Sequence, residues 1–205
     1  MTEMFSVNQA AAIAEMPADT IRTALDKKSV TPSHKQKAGK AVRHQFSVGD
    51  VLLVKVLAEF PFALSKQDKQ SLAEVLGRGS SQSARWSLKK GDLVYRSGNM
   101  QVLVECKRVR QTVARNLAAY RWGRRRIVAS PEVMGGEPVF RGTRIPLRHV
   151  ASLFRKGVPE REITEDVPSL SARDLAYARL FARFGDRPGR PKKGLEIRRE
   201  HGSAK

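Results

Sequence analysis

One cysteine, Cys106, stands alone in 205 residues. It cannot close an internal disulfide framework and leaves no Cys-based zinc site, which fits a chain kept in a reducing cytoplasm. Long apolar runs are missing too. None approaches the roughly 18 residues that a membrane-spanning helix needs, and the opening Met-Thr-Glu-Met lacks the basic-then-apolar order of a secretory signal. The expectation is a soluble cytoplasmic protein with no membrane partner. Acids are scarce: 20 Asp and Glu stand against 39 Lys and Arg, a net charge of +19 and a pI near 10.8. Such a balance points to a polyanion such as nucleic acid, or to an acidic protein.

Catalytic patterns are absent as well. His34, His44, His149 and His201 lie in four separate segments with no helical or metal-ligand spacing. No nucleophile elbow, P-loop or zinc signature occurs. The densest acids, Glu160, Glu162, Glu165 and Asp166, read as a solvated helix face rather than a metal cluster. No catalytic residue, metal or cofactor is expected, and the chain does not read as an enzyme.

What is present is uneven charge over helical patterning. Residues 1–79 carry +3, 80–126 carry +10, 127–185 carry +2 and 186–205 carry +4, and these four segments are the expected organisation. Ser6 and Gln9 form a capping box for a short Ala-rich helix to about Met16. After Pro17 a second helix to Lys28 places Ile21 and Leu25 on one face and Arg22, Thr23, Asp26 and Lys27 on the other. Residues 31–44 are too polar to be buried and read as an exposed basic wing. Ser47 with Asp50, and Ser65 with Asp68, then open two further helices, the first to about Phe60 and the second to about Leu76.

Phe5-Ser6 with Gln9-Ala10-Ala11, then Thr20-Ile21-Arg22, then Arg43-His44-Gln45-Phe46-Ser47 with Asp50-Val51 give residues 4–76 an order that resembles the winged-helix domain of MerR-type regulators. The chain lacks the usual aromatic after Arg22 and the metal-sensing cysteines, so the resemblance implies DNA binding without sensing. Thr20, Arg22, Thr23 and Lys27 would then face the major groove, and Lys35, Lys37, Lys40 and Arg43 would hold phosphates. Paired half-sites would imply a homodimer.

Between residues 80 and 126 a polar, Ser-rich stretch reads as a linker. Leu93, Tyr95, Val102 and Val104 around Ser97-Gly98-Asn99 then read as a β-hairpin. A helix from about Lys107 to Trp122 follows, with Val109, Val113, Leu117 and Tyr120 on one face and arginines on the other. A short strand at 126–129 leads into a loop dense in Gly and Pro. That loop holds Gly135, Gly136, Pro138, Gly142, Thr143, Arg144 and Pro146. It is either an anion or partner site flanked by Arg141 and Arg144, or architecture that Thr143 and Arg144 fix by local hydrogen bonds. Glu137 weakens the first reading. Helices from Pro146 to about Lys156, from Pro159 to about Asp166, and from a Ser171–Asp174 box onward complete a small three-helix unit.

Pro131-Glu132, Gly135-Gly136-Glu137-Pro138, Gly142-Thr143-Arg144-Ile145-Pro146, Gly157 and Pro168-Ser169-Leu170 make residues 126–184 similar to the small helical family catalogued as domain of unknown function four-three-three. Members commonly act as antitoxins, in the VapB role, beside PIN-like ribonuclease toxins. The resemblance implies a type II antitoxin that binds and inhibits such a toxin, forms a toxin–antitoxin hetero-oligomer, and represses its own operon through operator DNA. The other reading is a stand-alone transcription regulator. The tail from Asp186 is too polar to fold alone and is expected to be disordered when free. Its Arg187, Arg190, Lys192, Lys193, Arg198 and Arg199 would contact the toxin, while Gly189-Arg190-Pro191 also matches the core of an AT-hook for the minor groove. The expected fold is therefore mainly α: an N-terminal winged helix-turn-helix, a central β-hairpin and basic helix, a C-terminal three-helix, helix-turn-helix-like domain, and a basic disordered tail.

Overall fold

Capping chemistry sets the front of the molecule. In the computed structural model, which describes residues 3–38, 41–60, 64–78 and 85–185, Ser6 Oγ accepts from the Gln9 amide and Gln9 Oε1 accepts from the Ser6 amide. The box starts α1 (Val7–Ile13) at the end of a two-residue strand β1 (Phe5–Ser6). The helix ends three residues earlier than its sequence suggests, because Glu15 turns left-handed (φ 51°). Pro17, with its fixed φ, then leads into α2 (Ala18–Asp26), whose Ile21 is fully buried.

Strands β2 (His34–Ala38) and β3 (Ala41–Phe46) form an antiparallel pair, and β1 adds to β3 in the order β1-β3-β2. Ser47 and Asp50 cap α3 (Val48–Glu59), and α4 (Lys66–Arg78) follows. In α4 the Asp68 carboxylate accepts from the Ser65 hydroxyl at 2.6 Å, from Tyr95 OH at 3.2 Å and from Arg85 at 3.2 Å. The Asp68 carbonyl takes the Trp86 indole N–H at 2.9 Å.

The expected central hairpin is a three-stranded meander. Strand β4 (Trp86–Lys89) pairs with β5 (Asp92–Ser97), which pairs with β6 (Met100–Val104). Part of the stretch read as a polar linker is thus a strand, held by Trp86. That ring is buried against Tyr95 (centroids 4.8 Å apart) and Phe60 (5.4 Å). A four-residue strand between Arg85 and Lys90 gives no alternation long enough to read.

The basic helix α5 is also longer than its pattern suggests, running from Cys106 to Arg126. Its final turn, Arg124 to Arg126, sets positive charge against the carbonyl end of the helix dipole. At about 1.5 Å per residue it is roughly 31 Å long, and it packs against α1, α3, β5, the short strand that follows it and the last helix of the chain. Val109, Val113, Leu117 and Tyr120 are buried along it. Tyr120 meets Phe5 of β1 on one side (5.4 Å) and Phe184 on the other (6.0 Å).

A pair of two-residue strands, β7 (Ile127–Val128) and β8 (Val139–Phe140), closes the base of the Gly-rich loop, and a single 3-10 turn at Met134–Gly136 shapes its tip. Helices α6 (Leu147–Arg155), α7 (Glu160–Asp166) and α8 (Ala172–Phe184) follow. Helix α8 packs on α6, on α5 and on α1. The protein is mainly helical with small β-sheets. The expected disordered tail, 186–205, lies outside the described residues.

Candidate nucleic-acid and partner interface

On α2 the burial of Ile21 turns Thr20, Arg22, Thr23 and Lys27 outward, and all four are exposed. Arg22 is not free there. Its guanidinium donates to Asp19 Oδ1 at 2.6 Å and to Asn8 Oδ1 at 2.9 Å, bracing α2 against α1. Lys35 and Arg43 are exposed on the β2–β3 hairpin. The register pairs Lys35 with His44, Gln36 with Arg43 and Lys37 with Val42. Side chains alternate across a strand, so Lys35, paired with His44, lies on the opposite face of the hairpin from Arg43. Lys40 lies outside the described residues.

The fold adds cations that the sequence reading missed. An open groove of about 990 Å3 runs between the end of α2, the base of the hairpin and the start of α4, and Lys27, Lys28, Lys35, Lys66 and Lys69 line it with His44. Asp50 and Glu74 also face it, and one Asp50 oxygen is engaged by the amides of Ser33 and Ser47, at 2.9 and 2.8 Å. Lys66 and Lys69 carried no local signal. They sit on the polar side of an ordinary amphipathic helix, and only the packing of α4 brings them to Lys27.

Much of the arginine face of α5 is used internally. Arg115 pairs with Glu15 at 3.1 Å, Arg121 with Glu3 at 2.9 Å, and Arg126 with Asp174 at 3.0 Å. Arg183 of α8 joins Arg115 on Glu15, also at 3.1 Å. Burial pushes the Glu15 carboxyl up, but hydrogen bonds from Arg183 and Asn116 and the charges of Arg183 and Arg115 outweigh it and hold the carboxyl below its ordinary value. Arg108, Arg110, Arg124 and Arg125 remain exposed. The tail cations Arg187, Arg190, Lys192, Lys193, Arg198 and Arg199 lie outside the described residues.

In the Gly-rich loop the glycines serve the turn. Gly135, Gly136 and Gly142 have φ of 63°, 87° and 77°, values that L side chains rarely adopt. The amides of Gly136, Glu137, Phe140, Arg141, Thr143 and Leu147 donate to carbonyls of Val133, Met134, Ile145, Arg126, Phe140 and Pro138. Thr143 Oγ1 donates to the Phe140 carbonyl at 2.8 Å and accepts from the Ile145 amide at 3.1 Å. Amides engaged in this way do not point at a ligand. Arg144 is exposed and, among the described residues, makes no side-chain hydrogen bond. Arg126 instead braces the loop, donating to the Arg141 carbonyl at 2.7 Å.

Among the described residues no group of three or more His, Cys, Asp or Glu is placed to hold a metal ion. No helix there is long and apolar enough to cross a membrane. Cys106 is buried, and burial raises its thiol above the ordinary value, which disfavours the reactive thiolate.

Comparison with known proteins gives the following likenesses. An uncharacterised protein, y4eO, of Sinorhizobium fredii is 36% identical over 64 residues, which is 31% of this chain and 29% of that protein. The chain thus matches under a third of that relative's length. A crystal structure of Rv2018 from Mycobacterium tuberculosis aligns with 85% of this chain and 95% of its own, at 14% identity and a TM-score of 0.32. The family model described as Protein of unknown function (DUF433) matches residues 127–182. That match spans β7, the Gly-rich loop and the three helices α6 to α8 almost to their end, and over those residues the chain is similar to the DUF433 family.

Proposed function

We propose that the protein is a DNA-binding antitoxin: its front part grips operator DNA as a winged helix-turn-helix, and its rear basic surfaces hold a PIN-like ribonuclease toxin, so that the complex represses its own operon. The carrying observation is the exposed face of α2. Thr20, Thr23 and Lys27 stand clear of the core beside the exposed Lys35 and Arg43 of a β-hairpin, an arrangement suited to one helix in the major groove and flanking cations on phosphates. The toxin half of the reading rests on the family resemblance together with the exposed Arg108, Arg110, Arg124 and Arg125.

A stand-alone transcription regulator is the second reading. It is favoured by the engagement of Arg115, Arg121 and Arg126 with Glu15, Glu3 and Asp174 inside the protein, which leaves fewer arginines for an acidic partner.

Fluorescence anisotropy with a fragment of the protein's own promoter tests the DNA half. With about six phosphates neutralised, log K falls with log salt at a slope of roughly −5, and Lys27→Ala flattens that slope by about 1. Undetectable or salt-insensitive binding sinks the reading. Co-expression with the product of the adjacent gene separates the two forms: copurification supports the antitoxin, and its failure supports the regulator.

A further inference from the structure

We infer that strand β6 is a dimer seam, joining a second copy of this chain edge to edge in antiparallel register. Among the described residues β6, like β4 on the far side, pairs only with β5, so its outer edge is open. Natural proteins blunt such edges with lysine, proline or a bulge. This one is not blunted. Residues 97–104, Ser-Gly-Asn-Met-Gln-Val-Leu-Val, carry no charge inside the most basic segment of the chain. Two of the few large apolar side chains left exposed stand here, Met100 at 46% and Leu103 at 59%.

The register shows what the edge offers. A two-residue turn joins Ser97 to Met100, which makes these a hydrogen-bonded pair. Alternation then directs the backbone groups of Met100, Val102 and Val104 toward Ser97, Tyr95 and Leu93. The N–H and C=O groups of Gln101 and Leu103 therefore face outward. Two copies related by a two-fold axis through Val102 place Gln101 opposite Leu103 in both directions, so that all four outward groups on each strand edge find partners. Val102 then meets its own copy, Met100 meets Val104, and Glu105 falls opposite Asn99. No like charges meet anywhere along the seam. For a chain of charge +19, which repels its own copies over most of its surface, a neutral and self-complementary strand is the place where two copies can join.

Cross-linking reads this register directly. In the proposed pairing Val102 faces Val102 as a non-hydrogen-bonded pair with Cα atoms about 4.5 Å apart, within disulfide reach. Val102→Cys should give a covalent dimer under mild oxidation. Gln101→Cys should not, because its own copy is displaced by two residues. The natural Cys106 is buried and stays out of the reaction. Sedimentation of the full chain should give twice 22.9 kDa. Leu103→Lys, at an exposed position, and Gln101→Pro, which removes only an outward N–H, should each weaken dimerisation by about tenfold or more with the circular dichroism spectrum unchanged. A monomeric wild-type chain, a dimer indifferent to Leu103→Lys, or stronger cross-linking at 101 than at 102 overturns the inference. None of these measurements involves DNA or a toxin.

Discussion

Asp174 shows how much one buried carboxylate can organise. It is fully buried and closes the capping box of α8, accepting from the Ser171 amide at 3.0 Å and the Ser171 hydroxyl at 2.8 Å. The same carboxylate takes the Trp122 indole N–H at 2.9 Å and Arg126 Nε at 3.0 Å. Burial pushes its pKa up, but the hydrogen bonds from Trp122, Ser171 and Arg126 outweigh it and hold the carboxyl below the ordinary aspartate value. A depressed folded value means stability that is present above the ordinary aspartate pKa and lost as pH falls through the folded one. Asp174→Ala should cost about 3 kcal/mol in urea unfolding at neutral pH, since it removes a cap and leaves the Trp122 indole N–H and the Arg126 Nε–H without their acceptor. The gap between Asp174→Asn and wild type should narrow as the pH is taken below the ordinary aspartate range. An equal gap at neutral and strongly acid pH would remove the charge from the account. The Ser171–Asp174 box is legible as a local pattern. Its second role is not, because Trp122 and Arg126 lie 52 and 48 residues away and no spacing rule links them.

At the scale of elements, α5 is the part whose sequence is most informative and still incomplete. Its buried stripe, Val109 to Tyr120, follows from helical spacing, and so do the helices of the region that the DUF433 model matches. Its end does not. Gly123 looks like a helix stop in sequence, yet it lies inside the helix and is buried. The reason is contact: a Cβ added there would sit 2.2 Å from ring atoms of Tyr177 on α8, so the absent side chain is what lets the ring lie on the helix backbone. Gly123→Ala should gain about 1 kcal/mol of helix propensity and still destabilise the protein by about 2 kcal/mol net through overpacking. A thermal melt checks the sign, and a stabilised Gly123→Ala variant would mean that the two helices do not approach so closely. The short strand at 126–129 was legible and is β7, but β4 and β8 were hidden for a different reason. Two to four residues are too few to show alternation, and their pairing comes from what packs over them, Trp86 and Phe140 being buried.

Across the whole molecule, charge and composition divide the chain into a front, a basic middle and a rear, but side-chain contacts cross those divisions. Glu15, in the turn after α1, is held by Arg115 of α5 and Arg183 of α8. Asn116, buried in α5, donates to the Ile13 carbonyl at 3.0 Å. Ala10, Ala11 and Ala12 of α1 and Ala14 at its C-cap are buried and are small enough to let α2, α5 and α8 approach the helix together. Such contacts link residues about 100 positions apart, which is why they could not be read from local pattern. One buried cluster runs from Phe5 through Tyr120 to Leu180. A protein built this way should melt in a single calorimetric transition, with the calorimetric and van't Hoff enthalpies equal. Truncation to residues 1–126 should then lose cooperative unfolding, because Tyr120 and the α1 alanines would lose α8 as a cover and present apolar surface to water. Two resolved transitions, or a fragment 1–126 that melts as sharply as its counterpart in the full chain, would show that the front half holds together without α8.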